Sequence, residues 1–555
     1  MSAPPGDTIL VLDFGGQTAQ LIGRRVRDLG VYAELVPGDA DLGALLSGET
    51  AVRGIILSGS PESVYTPAGA VPDPRIYQCG LPLLGICYGI QRMTQDQGGT
   101  VAALAAREYG GMAVDVTFPA DTASFSEAAG RFLAGFDPAL SLSALQAAPA
   151  FPSPGLQSCT FTAWMSHGDS IIQRAPGFRE YGRSVTGLPA VLIHETQRWF
   201  GLQFHPEVSH CQRGVEILAA FVFGVCRCKG GWTMERYLEG LRGSLPRRVG
   251  ANPVLLLVSG GVDSTVAAAL LLQVLDPDQV HLLYIDTGLM RKDETQTVSA
   301  ALERSGARRV HIIQREDAFL DALQGLEDPE AKRKAIGDLF ITIQEREAAR
   351  LGLPEDCFLA QGTLYTDLIE SGKGVGRKAQ VIKSHHNVAS PLVEAKRRSG
   401  RLIEPLDRLY KDEVRALGRV LGLDAAAVRR HPFPGPGLAV RILGEVTKEK
   451  CAVLREADAL YLEELKRRRL YDAIWQAFGV LLPIRSVGVA GDARKYGWVL
   501  ALRAVVSADG MTADVYPFPM KDLLEIAALI TNNVKAIGRV TYDISSKPPA
   551  TIEWE

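Results

Sequence analysis

The sequence predicts a multidomain α/β protein: two parallel-sheet α/β domains followed by a small α+β C-terminal domain. The first ground is length, since 555 residues exceed what one core supports, and about 150 residues per domain gives three or four units. The second is pattern. Up to residue 430, short β-branched and leucine runs such as 8–12, 54–57, 255–258 and 280–286 alternate with helix-spaced stretches, as in parallel sheets covered by helices. The third is a change of texture at His431-Pro432-Phe433-Pro434-Gly435-Pro436-Gly437-Leu438, too proline-rich for regular structure and read as a rigid linker or loop. Beyond it, alternating segments at 487–492, 497–506 and 540–544 and two helix-like stretches, 447–469 and 521–531, suggest the small α+β unit. The expected division is 1–227, 228–430 and 431–555.

Composition narrows the class before any motif does. Hydrophobic residues make up 46% and charged residues 22%, the balance of a soluble globular protein. With 60 basic against 63 acidic residues the net charge is −3, which gives no global electrostatic case for nucleic acid or anionic membrane. The local run Lys466-Arg467-Arg468-Arg469 reads as a solvated helix face or a subunit contact. No apolar stretch reaches the roughly 18 residues of a membrane span, and Met1-Ser2-Ala3-Pro4-Pro5 does not read as a signal peptide, so a cytoplasmic protein without a membrane partner is expected. Eight scattered cysteines make no disulfide framework, and Cys226-Arg227-Cys228 lacks the spacing and the second pair of a zinc site.

In the first domain the chemistry lies in Leu83-Leu84-Gly85-Ile86-Cys87-Tyr88-Gly89-Ile90-Gln91. It reads as strand, cysteine, helix, with a glycine two residues to each side of Cys87, the spacing of a nucleophile elbow with sulfur in place of oxygen. Small neighbours permit a strained turn, and the helix start behind it favours thiolate over thiol. A cysteine nucleophile needs a base, and the base an orienting group. In Gly201-Leu202-Gln203-Phe204-His205-Pro206-Glu207 an apolar-alternating strand is expected to end at His205, with Glu207 two residues on. Alone, His205 would read as a structural histidine; beside the elbow it completes a Cys87, His205, Glu207 triad. Ser58-Gly59-Ser60-Pro61 closes another strand, and its backbone N–H groups, Gly59 foremost, suit an oxyanion. Together these motifs resemble the class I glutamine amidotransferases. The resemblance implies attack of the cysteine on the glutamine side-chain amide, a glutamyl thioester and release of ammonia. Trp164-Met165-Ser166-His167-Gly168-Asp169 fits the same resemblance, which puts it near the glutamine site with His167 as a positioning or structural residue.

The second domain is organised around Leu255-Leu256-Leu257-Val258-Ser259-Gly260-Gly261-Val262-Asp263-Ser264-Thr265: strand, tight loop, helix. The glycines let backbone approach a ligand, and Ser259, Ser264, Thr265 and the helix-start N–H groups can bind phosphate oxygens. The Gly-Lys-Ser/Thr ending of a Walker A loop is absent, so a cation must come from elsewhere, and Lys383 in Val381-Ile382-Lys383-Ser384-His385-His386-Asn387 is the expected one. The strand ending Ile285-Asp286-Thr287-Gly288, with Arg291 following, suits a nucleotide at a strand's carboxyl end. A further strand is expected over 358–363, and the Gly/Lys-rich stretch 372–378 reads as a lid. Ser-Gly-Gly-Val-Asp-Ser resembles the pyrophosphate loop of the N-type ATP pyrophosphatases, whose fold is adenine nucleotide alpha hydrolase-like; they cleave ATP between its α and β phosphates and pass AMP to a substrate oxygen.

The C-terminal segment Tyr542-Asp543-Ile544-Ser545-Ser546-Lys547-Pro548-Pro549-Ala550-Thr551-Ile552-Glu553-Trp554-Glu555 is too apolar and proline-stiffened for a loose tail and should be docked. With an amidotransferase and a pyrophosphate loop ahead of it, the chain resembles the glutamine-hydrolysing GMP synthase family over nearly its whole length. The resemblance implies conversion of xanthosine monophosphate (XMP), ATP and glutamine into GMP, AMP, pyrophosphate and glutamate, with Mg²⁺, in a cytoplasmic homodimer. It implies ATP binding by Ser259, Gly260, Gly261, Val262, Asp263, Ser264, Thr265 and Lys383, and Asp263 as the metal-binding carboxylate. It implies XMP binding by Arg291, Gln476, Asp492, Arg494, Lys547 and Glu553. One departure is Val388-Ala389-Ser390-Pro391-Leu392, where family members commonly carry a Gly-Gly-Leu-Pro turn.

NAD synthetases and tRNA-thiolating enzymes share the pyrophosphate loop. They do not account for the C-terminal third, and a thiolating enzyme would need relay cysteines and a basic RNA surface. A nucleotide-sensing module with a dead amidotransferase would have lost Cys87, His205 or Glu207; all three stand in the sequence.

Overall fold

The computed structural model describes residues 6–16, 18–48, 50–66, 69–119, 125–147, 150–370, 391–490, 493–507 and 512–555. They divide into two compact units, 6–241 with 368–370, and 242–367 with 391–555.

In the first unit β1 (Asp7–Asp13), β2 (Tyr32–Pro37), β3 (Ala51–Leu57), β4 (Leu83–Ile86), β5 (Thr100–Thr117), β6 (Ser158–Gln173), β7 (Phe178–Ser184), β8 (Pro189–His194) and β9 (Trp199–Leu202) form one sheet. Its order is β2-β1-β3-β4-β9-β8-β7-β5-β6. The half from β2 to β9 is parallel, and β4 and β9 are buried at every position, as strands covered on both faces must be. From β9 onward the pairing is antiparallel, and β6 alternates buried with more exposed residues over much of its length, so the expected parallel sheet makes up only about half of this one. One expectation fails in detail. The strand before His205 is four fully buried residues without alternation and ends at Leu202, because it runs through the middle of the sheet.

In the second unit β10 (Val254–Val258), β11 (Val280–Asp286), β12 (Arg309–Gln314), β13 (Phe358–Ala360) and β14 (Leu402–Ile403) form an all-parallel sheet in the order β12-β11-β10-β13-β14. Strand order reverses at β10, so the loop after Val258 lies at the switch point where open α/β sheets bind ligands. β13 stops at Ala360, three residues short of the expected strand.

A second sheet of this unit holds β15 (Gln476–Ala490), β16 (Ala493–Val506), β17 (Asp514–Val515) and β18 (Ile537–Tyr542). β15 and β16 make one long hairpin, and β18 joins β16 in parallel. The sequence pattern misses the first half of β15, because Gln476–Leu481 is buried residue after residue and carries no alternation. Helices Lys448–Arg467 and Met520–Asn533 cover the sheet; the first starts where the Thr447 side chain accepts from the Lys450 N–H. The basic run at its end is solvated, with Lys466, Arg467 and Arg469 exposed, and is anchored by Glu464, which takes Arg467 at 2.8 Å and Arg468 at 2.7 Å, while Arg468 also pairs with Asp522 and Glu525 on the second helix.

The proline-rich segment is a packed loop, not a linker. The His431 ring lies flat on Tyr471 at 3.8 Å, and the Leu438 N–H donates to the Leu289 carbonyl at 2.8 Å. One apolar core runs from Leu255, Leu283 and Phe319 to Leu454, Leu481, Leu500 and Ile530. The C-terminal segment is docked. Fully buried Arg503 pairs with Asp543 at 3.3 Å and donates to the Thr551 carbonyl at 3.2 Å, and Lys332 Nζ lies 2.6 Å from Glu555 Oε2.

Candidate active sites

Cys87 stands between β4 and the helix Tyr88–Asp96 with φ 53° and ψ −106°. A side chain held at positive φ stores about 1–3 kcal/mol of strain and persists only where its surroundings impose it. Here the turn is imposed by contact. A Cβ on Gly85 would lie 2.5 Å from the Ile90 nitrogen, and one on Gly89 would lie 2.3 Å from the Leu57 carbonyl oxygen, so only glycine fits on either side. The Cys87 N–H continues the β4–β9 ladder by donating to Leu202 O at 2.7 Å.

Because β4 and β9 are parallel neighbours with Ile86 opposite Leu202, the residues that follow them emerge at the same edge. His205 is fixed there by its N–H to Trp164 O, 2.9 Å, and by Nδ1 to Glu207 Oε1, 2.7 Å. With Nδ1 donating to the carboxylate, Nε2 is left for the sulfur. Both side chains are buried, Glu207 completely. Burial by itself would lower the His205 pKa, but Glu207 and the Cys87 sulfur overcome it and hold it well above the usual histidine value. Gly59 closes the group: a Cβ there would lie 3.2 Å from His205 Cε1 and 4.0 Å from Cys87 Cβ. Three further neighbours surround the pair, of which Thr18 has no sequence signal, while Gln203 and Ser166 lie within the 201–207 and 164–169 motifs. Thr18 Oγ1 lies 3.4 Å from His205 Nδ1, and Gln203 Nε2 and Ser166 O lie 3.9 and 3.8 Å from Cys87 Sγ. His167 is engaged elsewhere, in a buried pair with Glu108 at 2.9 Å.

The loop after β10 has its expected shape. Gly260 has φ +80°, a conformation open to glycine, and Gly261 caps the helix Val262–Val274. Ser259 and Ser264 hydroxyls meet at 3.1 Å, Thr265 Oγ1 donates to Gly261 O at 2.8 Å, and Val262 follows Gly261 as the first helical residue. Lys383 lies outside the described residues. A cation at the loop is Lys411, with Nζ 2.6 Å from Asp263 Oδ1; it opens the helix Lys411–Val420, whose start is capped by Glu413 accepting from Tyr410 N at 2.8 Å. Arg430 Nη1 donates to the Gly260 carbonyl at 2.8 Å and its other nitrogen pairs with Glu294. Beside the loop, at the carboxyl ends of β11 and β12, Asp286, Gly288, Arg291, Gln314 and Glu316 line a cleft of about 600 Å³.

Arg291 is partly buried, pairs with Asp458 at 3.3 Å and lies over the Phe433 ring at 4.7 Å. Arg441, fully buried, lies over the same ring at 4.9 Å and grips Glu553 through two nitrogens at 2.8 and 3.1 Å. Gln476 Nε2 donates to Glu553 Oε1 at 2.7 Å and to Pro432 O at 3.2 Å. The fold therefore gathers Gln476 and Glu553, with Arg291 linked to them through Phe433 and Arg441. Lys547 is tied in through its backbone, which exchanges hydrogen bonds with Ala513 at 2.7 and 3.0 Å. Arg494 is not gathered: it is exposed, opposite Val489 near the far end of the β15–β16 hairpin. That is roughly 36 Å along β16 from Val505, the partner of Gln476, at about 3.3 Å per residue. Asp492 lies outside the described residues.

Three family models match stretches of the chain. Residues 10–225 match the model of class-I glutamine amidotransferases, 234–335 that of NAD synthase and 463–554 that of the GMP synthase C-terminal domain. A Zymomonas mobilis protein named GMP synthase (glutamine-hydrolyzing) is 45% identical over 551 residues, 99% of this chain and 98% of its own. A Brucella suis protein of the same name is 45% identical over 550 residues, 99% of each chain.

Proposed function

This chain belongs to the glutamine-hydrolysing GMP synthases, ATP-dependent ligases, and on that premise we propose which of its residues carry out each half of the reaction. The observation that carries the reading is the strained Cys87 beside the His205–Glu207 pair, in a chain that also holds the Ser259–Ser264 loop at its second sheet's switch point. The division 1–227, 228–430 and 431–555 separates amidotransferase, ATP pyrophosphatase and a C-terminal dimerisation and substrate-binding domain.

In the first site Cys87 Sγ attacks the side-chain amide carbon of glutamine. The oxyanion forms beside Gly59, and His205, held as imidazolium by Glu207, protonates the departing ammonia. Water then cleaves the thioester with His205 as base. In the second site Ser259, Gly260, Gly261, Val262, Asp263, Ser264 and Thr265 hold the phosphates of ATP while a carbonyl oxygen of XMP takes AMP and pyrophosphate leaves. Ammonia then displaces AMP to give GMP.

Magnesium fits this site as an ion held mainly by ATP oxygens, since Mg²⁺ commonly takes one or two carboxylates together with substrate phosphates. Asp263 is the carboxylate on the loop, and Lys411 must give way for it to bind the ion. Such an ion would spread the charge of the leaving pyrophosphate. Lys383 and Lys411 are the candidate cations for the remaining charge.

Arg291, Gln476, Lys547 and Glu553 are proposed to hold XMP. Arg494, near the far end of the hairpin, reaches it only from a second copy of the chain, which a homodimer supplies, and Asp492 is proposed to bind XMP too. Exposed Val487 and Tyr496, opposite each other on that hairpin, support such a contact, since exposed apolar surface marks association sites. The substrates are free small metabolites, which fits a cytoplasmic enzyme with no nucleic-acid partner. The test is GMP formation from XMP, ATP and glutamine, with ammonia as the control donor; a folded protein that forms GMP from neither would refute the reading.

A further inference from the structure

We infer that Arg430 and Glu294 form a positioning bridge that holds the ATP loop and the Arg291 loop in register, so that one ion pair sets the binding of both nucleotides. This rests on the assignments of the loop to ATP and of Arg291 to XMP. The guanidinium of Arg430 forks: one nitrogen donates to the Gly260 carbonyl at 2.8 Å and the other pairs with Glu294 Oε1. Glu294 has the matching division, for its Oε2 accepts from the Arg291 backbone N–H at 3.1 Å. Four groups thus form an unbroken chain from the loop glycine with φ +80° to the backbone of Arg291.

The bridge is buried where it matters. Glu294 is 3% exposed, so its charge is poorly compensated by water and the Arg430 contact is held tightly. Space around Gly260 is set by the same element: a Cβ there would lie 2.9 Å from Val298 Cγ2 and 3.4 Å from Glu294 Oε1. Arg430 is also continuous with the other wall of the site, because Phe433, three residues on, stacks under the Arg291 guanidinium at 4.7 Å. A lysine could not reproduce the fork, since an ammonium is a point charge without two fixed donor directions. Arg430 itself touches neither nucleotide in this scheme and acts through Gly260 and Glu294.

The test uses the full-length protein and ammonia-dependent GMP formation, with the KM for ATP and for XMP, kcat and the melting temperature read for each variant. Arg430→Gln leaves the Glu294 charge buried and unpaired and should lower the melting temperature. The double variant Arg430→Gln/Glu294→Gln leaves no lone charge, so its melting temperature should return to near the wild-type value. Both KM values should nevertheless stay raised, on the order of tenfold. Return of both KM values to wild type along with the melting temperature would overturn the inference, because the pair would then serve packing alone. A rise confined to one substrate would overturn the bridge. Asp263→Ala in the same assay separates the premises: if it too keeps wild-type kinetics, the ATP-loop assignment has failed, and if it loses synthesis while the double variant is normal, only the bridge has.

Discussion

Lys411 Nζ lies 2.6 Å from Asp263 Oδ1 although 148 residues separate them in the chain. The Lys411 and Asp263 side chains are 43% and 26% exposed, and such an exposed pair contributes only about 0–1 kcal/mol to folding. Its place on the pyrophosphate loop points to substrate handling instead. Asp263→Ala should therefore leave the melting temperature nearly unchanged and abolish pyrophosphate release with glutamine and with ammonia alike. A folded Asp263→Ala enzyme releasing pyrophosphate at the normal rate would contradict the role given to this carboxylate.

How much of this was legible in the sequence depends on how local each signal is. The elbow motif is complete within Gly85 to Gly89; the steric demand on Gly85 acts over the same few residues, whereas that on Gly89 comes from Leu57 on the neighbouring strand. The pyrophosphate loop is equally local. Lys411 and Arg430 are different: a lysine opening an amphipathic helix and an arginine ahead of a proline-rich loop look like surface residues until folding brings them to Asp263 and Gly260. Strand edges follow the same logic. β9 and the start of β15 are buried on both faces, so neither shows the alternation by which a half-exposed strand is recognised. The proline-rich segment read as a rigid linker or a loop, without a choice between them, because nothing local says that His431 will stack on Tyr471 and Leu438 will bond to Leu289.

Cys87→Ala should lose glutamine-dependent GMP formation and keep ammonia-dependent formation, since the thioester only generates the nucleophile that the second site consumes. His205→Ala should behave in the same way. Glu207→Gln should be milder and should change the pH profile. In the wild type Glu207 offsets burial and keeps the His205 pKa well above its usual value; without that charge burial pulls it down. Glutamine hydrolysis, which needs the imidazolium to protonate ammonia, should then fall away at lower pH in the variant. An alkaline limb that does not move in Glu207→Gln would show that Glu207 does not set the His205 charge.

His431 makes a stability prediction of definite sign. Burial, with Arg291 adding to it, presses its pKa down to about 4, and as a neutral ring it accepts from the Ala477 N–H at 3.2 Å and faces Tyr471 O at 2.9 Å. The folded value lies below the unfolded one of about 6.5, so the unfolded chain takes up the proton first. The contribution is full above about pH 6.5 and is lost as pH falls toward about 4, by up to roughly 3 kcal/mol. His431→Phe keeps a ring on Tyr471 and should start from a lower stability but show a flatter decline over that window. Denaturant midpoints at about pH 7.5 and about pH 4.5 measure the difference; equal declines in the two proteins would remove His431 as the cause.

The substrate assignment calls for substitutions chosen around the Arg441–Glu553 pair. Arg441 is fully buried and grips Glu553 through two nitrogens, so Glu553→Ala would strand a buried guanidinium at a cost of about 3–5 kcal/mol and confuse folding with binding. Glu553→Gln is the informative change. Its amide oxygen can still accept from one Arg441 nitrogen and the shape is kept, but Arg441 loses its counter-charge and its second acceptor, so the melting temperature is read beside the KM. Lys547 pairs with Ala513 through its backbone, so Lys547→Ala removes the side chain while leaving that pairing in place. If these groups bind XMP, both variants should raise the KM for XMP on the order of tenfold while leaving the KM for glutamine near its normal value. If instead they only stabilise contact between copies of the chain, sedimentation would show dissociation at low protein concentration and the KM for XMP, measured at a concentration that restores association, would be unchanged. That second pattern would move Lys547 and Glu553 out of the substrate site and leave Gln476, Arg291 and, from a second copy, Arg494 as its remaining candidates among the described residues.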